Sequence, residues 1–433
     1  MAPTHRSLSI ATEATFASID ATTGLPSSAG LSFISALVDR DPIVVPGDAA
    51  VNERMDARDG PFGLAAEPDT TWSAGARVRR RIGTISVRCD LTTLGTGANY
   101  AATGLGRLLS SALKYAAAPA SSDTVTGTSP STFTPTLGSA SYYMGNIIGA
   151  LIAGRSEYGA ITSNDQGGGG DIAVSPALSA TLAAASTAYQ LDTWYLPSST
   201  QSGGLESTLA LRIDAVGVRT YCYGCVVETL ALSHEGGRIM SDFTLVAAHI
   251  TDDHASATGP IEPIYPDGAA PHFRGTYVTL GDTASTSLTD IAGTTGDTYA
   301  RLALDCESFT VSLTNTVSPK AYSNDITGIS GWEVSDATVE ATLTLSTALT
   351  NVDNDLYNMT PRCLMIGSGP IGAGQGMAVN IPAAVLTSDA SKRDISGEII
   401  TQILNYRAAR FGGDIPNAQN RGSNTPFRLG LGG

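Results

Sequence analysis

Few residues in this sequence have a type and spacing suited to a reaction. Leu364-Met-Ile-Gly-Ser-Gly-Pro-Ile-Gly372 carries G-x-G-x-x-G behind an apolar run. That spacing lets a backbone approach a pyrophosphate at a helix N-terminus. The continuation, Ala373-Gly-Gln-Gly376 and a short run to Pro382, does not favour the helix such a site needs. No strand–helix–strand unit surrounds it, so the glycines read as a loop. Cys222 and Cys225 form a C-x-x-C. Residues three apart on a strand face opposite sides, and no second Cys or His pair lies near enough to complete four zinc ligands. With Cys89, Cys306 and Cys363 they make an odd set without a framework spacing, which predicts free, mostly buried thiols. His5, His234, His249, His254 and His272 are too scattered to suggest a triad. His249 and His254 flank Asp252 and Asp253, a possible cation site, but the stretch reads better as a solvated linker. Arg77-Val-Arg-Arg-Arg81 puts Arg77, Arg79, Arg80 and Arg81 on both faces of a strand. This is either an anion-binding patch or an edge strand whose charges meet carboxylates on a neighbouring subunit, and the absence of interleaved aromatics favours the second. No G-x-S-x-G, P-loop or H-E-x-x-H pattern occurs. The sequence therefore assigns no catalytic residue, metal ligand or cofactor site, and the expectation is a protein that is not an enzyme.

What the sequence does specify is strands. In Thr338-Val-Glu-Ala-Thr-Leu-Thr-Leu345, Val339, Ala341, Leu343 and Leu345 alternate with Thr338, Glu340, Thr342 and Thr344. A period of two predicts a strand with one face in a core. Leu349, Val352, Leu356 and Met359 follow at near-helical spacing until Pro361. The same order occurs earlier: Ile85, Val87, Cys89 and Leu91 alternate with polar residues. Leu105, Leu108, Leu109, Ala112 and Leu113 then mark one face of a short helix, with Thr103 placed to cap it. The chain thus reads as two copies of one small β-rich unit.

The remaining strands predicted are loosely Ser7 to Phe16, then Leu209 to Ile213, Tyr221 to Ser233 and Ile239 to Ala248. The later ones are Leu302 to Leu304, Phe309 to Leu313, Arg362 to Ile366, Met377 to Ile381 and Glu398 to Tyr406. Residues 20–71 read as long loops, and about 116–206 as an insertion of short strands whose packing is not legible. The domain plan is a first unit over 1–255, a Pro-rich linker over 256–271 and a second unit over 272–406. Residues 407–433 read as an extended arm, polar and Gly-rich, whose Arg407, Arg410, Arg421 and Arg428 would contact a neighbouring copy.

At 433 residues with 42% hydrophobic and only 15% charged side chains, the chain has ample material for sizeable cores and is not mainly disordered. Its net charge of −15 argues against wrapping nucleic acid, since that affinity comes from neutralised phosphates. The first residues lack the apolar core of an export signal and no run has membrane-span length, so synthesis in a cytoplasm without membrane insertion is expected.

The order of elements resembles the major tail tube proteins of long-tailed bacteriophages. The residues that carry the resemblance are Thr84 to Leu91 with the helix at Gly104 to Tyr115, Thr132-Phe-Thr-Pro135, and Gly224-Cys-Val-Val-Glu-Thr-Leu-Ala-Leu232. In the second half they are Glu307 to Asn315, Thr338 to Leu345 with its helix, and Gly397 to Tyr406. The resemblance covers most of both halves, and its short motifs are specific by their order; residues 20–71 and 140–206 depart from a minimal tube subunit. It implies mainly β architecture: tandem tail-tube-like β-sandwich or half-barrel domains, each with one short α-helix, closing an inner β-barrel on oligomerisation. It further implies a virion structural protein whose rings, trimers with pseudo-sixfold symmetry, stack into a conduit for DNA ejection. Its partners would be copies of itself, other tail proteins at the tube ends, and phage DNA passing without specific binding. The implied lumen-facing residues are Ser86, Asp90, Thr229, Ser233, Thr338, Glu340, Thr342 and Thr344, unless loops of the same chain cover them. The rival expectations are another tail ring component (a terminator or distal tail protein) or a capsid-surface or glycan-binding β protein.

Overall fold

The computed structural model describes residues 7–18, 27–36, 38–46, 82–91, 100, 103–116, 122–137, 142–164, 170–197, 208–215, 218–235, 237–253, 277–282, 302–304, 306–321, 329–346, 352–393, 400–412, 414 and 424–432. The chain is mainly β. It begins with β1 (Ser7–Thr12), β2 (Ile34–Ala36), β3 (Ile43–Pro46), β4 (Gly83–Asp90), helix α1 (Gly104–Ala112) and β5 (Lys114–Ala116). An inserted run follows: β6 (Ser122–Ser129), β7 (Thr132–Pro135), β8 (Ile147–Ile152), β9 (Arg155–Asn164), β10 (Ile172–Ser175) and β11 (Ser186–Gln190). After β12 (Asp192–Tyr195) come β13 (Leu209–Ala215), β14 (Val218–Glu235), β15 (Arg238–Ala247) and β16 (His249–Asp253). The second half holds β17 (Tyr277–Asp282), β18 (Leu302–Leu304), β19 (Cys306–Ala321), β20 (Ile329–Leu345), α2 (Val352–Asn358), β21 (Pro361–Ser368), β22 (Gly376–Arg393), β23 (Ile400–Ala408) and β24 (Arg428–Gly432).

The strand pairings repeat. In the first half β2 pairs β1, β1 pairs β13, β13 pairs β14, β14 pairs β15, β15 pairs β4 and β4 pairs β3. In the second, β18, β17, β21, β22, β23, β20 and β19 pair in the same succession. The helices α1 and α2 each follow the equivalent strand, β4 and β20. In each half one long strand, β14 or β22, pairs along its first part with an outer strand, β13 or β21, and along its second part with the strands of an inner sheet, beginning with β15 or β23. The two units are not packed separately, however. β14 pairs β19 over Thr229↔Thr314 to Ser233↔Thr310, which joins the inner sheets into one. A single apolar cluster runs behind it, from Leu8 through Leu232, Val311 and Leu343 to Leu431.

The bend in β14 is built on Gly224, at φ +61°, where a Cβ would lie 2.8 Å from the Ala248 Cβ. Only glycine adopts this conformation without strain. Its N–H donates to both oxygens of the buried Glu13 carboxylate at 3.1 Å, and its carbonyl accepts from Trp332 Nε1 at 2.6 Å. Burial raises the pKa of Glu13, against the opposing effect of hydrogen bonds from Thr208, the Gly224 N–H and Ser18. Around the bend the ladder slips, so that Leu209 opposes Cys225 while Leu211 opposes Cys222. Both cysteines therefore enter the core as free thiols, and the expectation that they face opposite sides is corrected.

The insertion is a closed barrel in the order β10-β7-β6-β11-β8-β9, with its own core of Val125, Phe133, Tyr142, Ile161 and Ile172. It docks on the second unit: Ile147, Tyr158 and Leu191 meet Tyr277, Met365, Ile371 and Ala378. The G-x-G-x-x-G stretch forms the β21–β22 hairpin against this surface. A Cβ on Gly367 would lie 2.3 Å from the Tyr158 ring, and one on Gly372 2.9 Å from Tyr189 Oη. These glycines are set by close packing and chain reversal.

Several expectations need correction. Residues 20–71 contain β2 and β3, the latter an edge of the inner sheet. The C-terminal segment is not an arm laid on a neighbour: β24 pairs with both β12 and β22 of its own chain. Arg428 is 0% exposed, pairs with Asp414, and donates to Thr425 Oγ1 at 3.2 Å and Asn380 Oδ1 at 3.3 Å. It is an internal clamp and no inter-subunit contact. Arg77, Arg79, Arg80, Arg81, Arg421, His5, His254, His272 and the linker 256–271 lie outside the described residues.

Candidate functional site

The apolar halves of the alternating strands turn toward the shared core, which leaves their polar halves together on the other face of the inner sheet. Directly opposed residues in an antiparallel ladder share a face, so the register assigns this face residue by residue. One row runs Ile43, Ser86, Thr244, Thr229 and Thr314 across β3, β4, β15, β14 and β19. Another runs Thr310, Thr342, Asn405 and Ser388 across β19, β20, β23 and β22. Further rows add Thr84, Ala231, Ser233, Ser312, Thr338, Glu340 and Thr344. All eight residues expected to share a lining, Ser86, Asp90, Thr229, Ser233, Thr338, Glu340, Thr342 and Thr344, fall on this one face, and each is exposed or half-buried. Behind them lie Ile85, Val87, Leu230, Leu232, Val311, Leu313, Leu343 and Leu404.

Hydroxyl side chains dominate the face. Thr342 Oγ1 donates to Asn405 Oδ1 at 2.8 Å, and Asn405 Nδ2 donates to Ser388 Oγ at 2.8 Å, which links three strands in one chain of bonds. Its carboxylates stand beside arginines. Arg238 Nη1 donates to Asp90 Oδ2 at 2.9 Å, and Arg88 Nε lies 3.5 Å from Asp242 Oδ1. Glu340 is opposite Arg407 in the β20–β23 register, and both are exposed. Such solvated pairs contribute little stability, at most about 1 kcal/mol each. Their effect is local: at these three places a carboxylate stands beside each arginine. Arg407 belongs to this face; Arg410 is exposed just beyond β23.

Sequence reasoning missed Thr84, Asp242, Thr244, Thr310, Ser312, Thr314 and Asn405 as members of the face. The signal was present, because each sits in the same alternating runs as the core residues between them. Nothing in the sequence says which strands become neighbours, and that decided which polar halves met. Among the described residues no group of three or more His, Cys, Asp or Glu could hold a metal ion, and no helix is long and apolar enough to cross a membrane. No protein-family model matches the chain, and a search of curated proteins returns no match.

Proposed function

We propose that this chain is a structural virion protein, not an enzyme: a bacteriophage tail tube subunit whose copies close side by side into rings and stack into a conduit for DNA ejection. The observation that carries the reading is the single open face, rich in threonine and serine, that spans both units on one continuous sheet. A sheet of this extent with a solvated polar face, open at both edges among the described residues, is prone to edge-to-edge association, and closure on copies of itself removes those edges. Three chains of two units each form the ring that the resemblance implies, with pseudo-sixfold symmetry. Ring-to-ring contacts are then head-to-tail, the arrangement that yields an open filament.

The lining suits a passage for duplex DNA. DNA carries about one negative charge per 1.7 Å of axis, and proteins hold it chiefly by neutralising phosphates with unpaired cations. Here Arg88 and Arg238 already have carboxylate partners and Arg407 faces one, so DNA meets hydroxyls and water and slides without specific binding. Other tail proteins cap the tube ends, and the protein is made in the host cytoplasm. Negative-stain electron microscopy of the purified protein tests this: long hollow tubes are expected. Monomers at every concentration would overturn it, and isolated single rings would favour a terminator or distal tail component.

A further inference from the structure

Among the described residues, the duplication leaves each half of its own junction without a partner at the two ends of the sheet. β14 has β15 on one side and β19 on the other, whereas its counterpart β22 has, along its second part, only β23 among the described residues. β19 has β20 and β14, whereas its counterpart β3 has only β4 among the described residues. The open ends are therefore a β14-like edge and a β19-like edge, the two surfaces that already pair inside the chain. β3 also shows an unfinished edge. Ile43 is 60% and Val45 57% exposed, and Val44 is only partly buried against the core where its counterpart Val311 is fully covered.

Resting on the tube reading above, we infer that the junction between chains repeats the junction within the chain, with β22 of one copy pairing antiparallel to β3 of the next in a register fixed by the repeat. The bulge on β14 between Val227 and Thr229 recurs on β22 between Leu386 and Ser388. That superposes Thr229 on Ser388, Ala231 on Ala390 and Ser233 on Lys392. The β3–β4 and β19–β20 ladders likewise superpose Ile43 on Thr310 and Val45 on Ser312, because Ser86 and Thr342 hold equivalent places in the two rows, opposite Thr244 and Asn405. Within the chain Ala231 opposes Ser312 and Ser233 opposes Thr310. Between chains Ala390 therefore opposes Val45, and Lys392 opposes Ile43.

The same register sets the geometry of closure. The first unit's row through Ile43 and Thr229 arrives at Thr314, four residues along β19 from Thr310, where the second unit's row starts. A stagger of four residues per four strands, at about 3.3 Å per residue and about 4.8 Å per strand, tilts the strands by about 35° to the ring axis. That lies at the edge of the range for closed barrels, about 35–45°, and does not depend on how many copies close. With three chains the Cα wall would stand about 22 Å from the axis, leaving room for duplex DNA.

Cysteine pairs test the register in assembled protein, with single-cysteine variants as background controls. Val45→Cys with Ala390→Cys and Ile43→Cys with Lys392→Cys should each give, on oxidation, a ladder of disulfide-linked chains ending at the ring size. Ile43→Cys with Ala390→Cys and Val45→Cys with Lys392→Cys should link at least roughly tenfold less. Preferential linking of these shifted pairs overturns the register. Hydrogen exchange on unmodified protein covers variants that fail to assemble: amides in 43–45 and 389–392 should gain protection on assembly. If tubes form and these amides stay unprotected, the junction inference fails while the tube reading stands; if no assembly forms, both fail.

Discussion

At the scale of single residues, Asp90 and Glu340 matter less as negative charges than as partners of Arg238 and Arg407. Replacing both by lysine would turn two balanced pairs into cation clusters on the open face. Tubes should form normally, since both side chains point away from the core, while DNA delivery should fall by roughly tenfold or more as phosphates gain unpaired cations to bind. Infectivity unchanged with intact tails would remove the face from the DNA path. Glu13 carries a pH dependence of its own. Burial raises its folded pKa above the unfolded value, so its stabilising contribution is full below the ordinary carboxylate range and is lost as pH rises through the raised value. Glu13→Gln should therefore gain stability relative to the parent as pH increases from about 4 to 7, read from denaturation midpoints; a difference independent of pH would contradict the assignment. The membership of Ser86, Thr338 and Thr342 on one polar face was legible, because alternation alone separates them from Ile85, Val339 and Leu343. The charge pairing was not, because Arg238 and Asp90 lie 148 residues apart.

At the scale of elements, β14 and β24 show two ways a strand exceeds its sequence pattern. β14 reads as one strand, yet Gly224 turns it from one sheet into another and carries Cys222 and Cys225 to the same side. Gly224→Ala would impose a strained positive φ and press its Cβ on Ala248, lowering stability by about 1–3 kcal/mol in chemical denaturation. β24 looks like a disordered tail because it is short and Gly-rich; it is ordered by strands distant in sequence, β12 and β22, and by the buried Arg428–Asp414 pair. Removing one member of a buried pair strands the other charge, so Arg428→Ala should cost about 3–5 kcal/mol, whereas an apolar replacement of both should cost far less. A loss under about 1 kcal/mol would mean that the clamp does not hold the C-terminus. The helices α1 and α2 were legible from spacing and the Thr103 cap, whose Oγ1 accepts from Gly106 N–H at 2.9 Å.

At the scale of the whole molecule, duplication was legible and its consequence was not. The repeated strand–helix order pointed to two units, but the sequence carries no sign that β14 and β19 fuse them into one sheet over one core. Nor does it show that a closed barrel inserted in the first unit braces the second through Tyr158 and Tyr277. Such couplings come from surfaces that complement one another only once folded. They make the chain a continuous double unit whose sheet is open at each end among the described residues, and on the proposed reading the count of chains in a closed ring is half that of the repeats. The most direct measurement is the native mass of the smallest stable assembly. A ring of three chains, present at low concentration and growing by whole rings, is the predicted result. A monomer that persists at high concentration without forming rings would contradict the account.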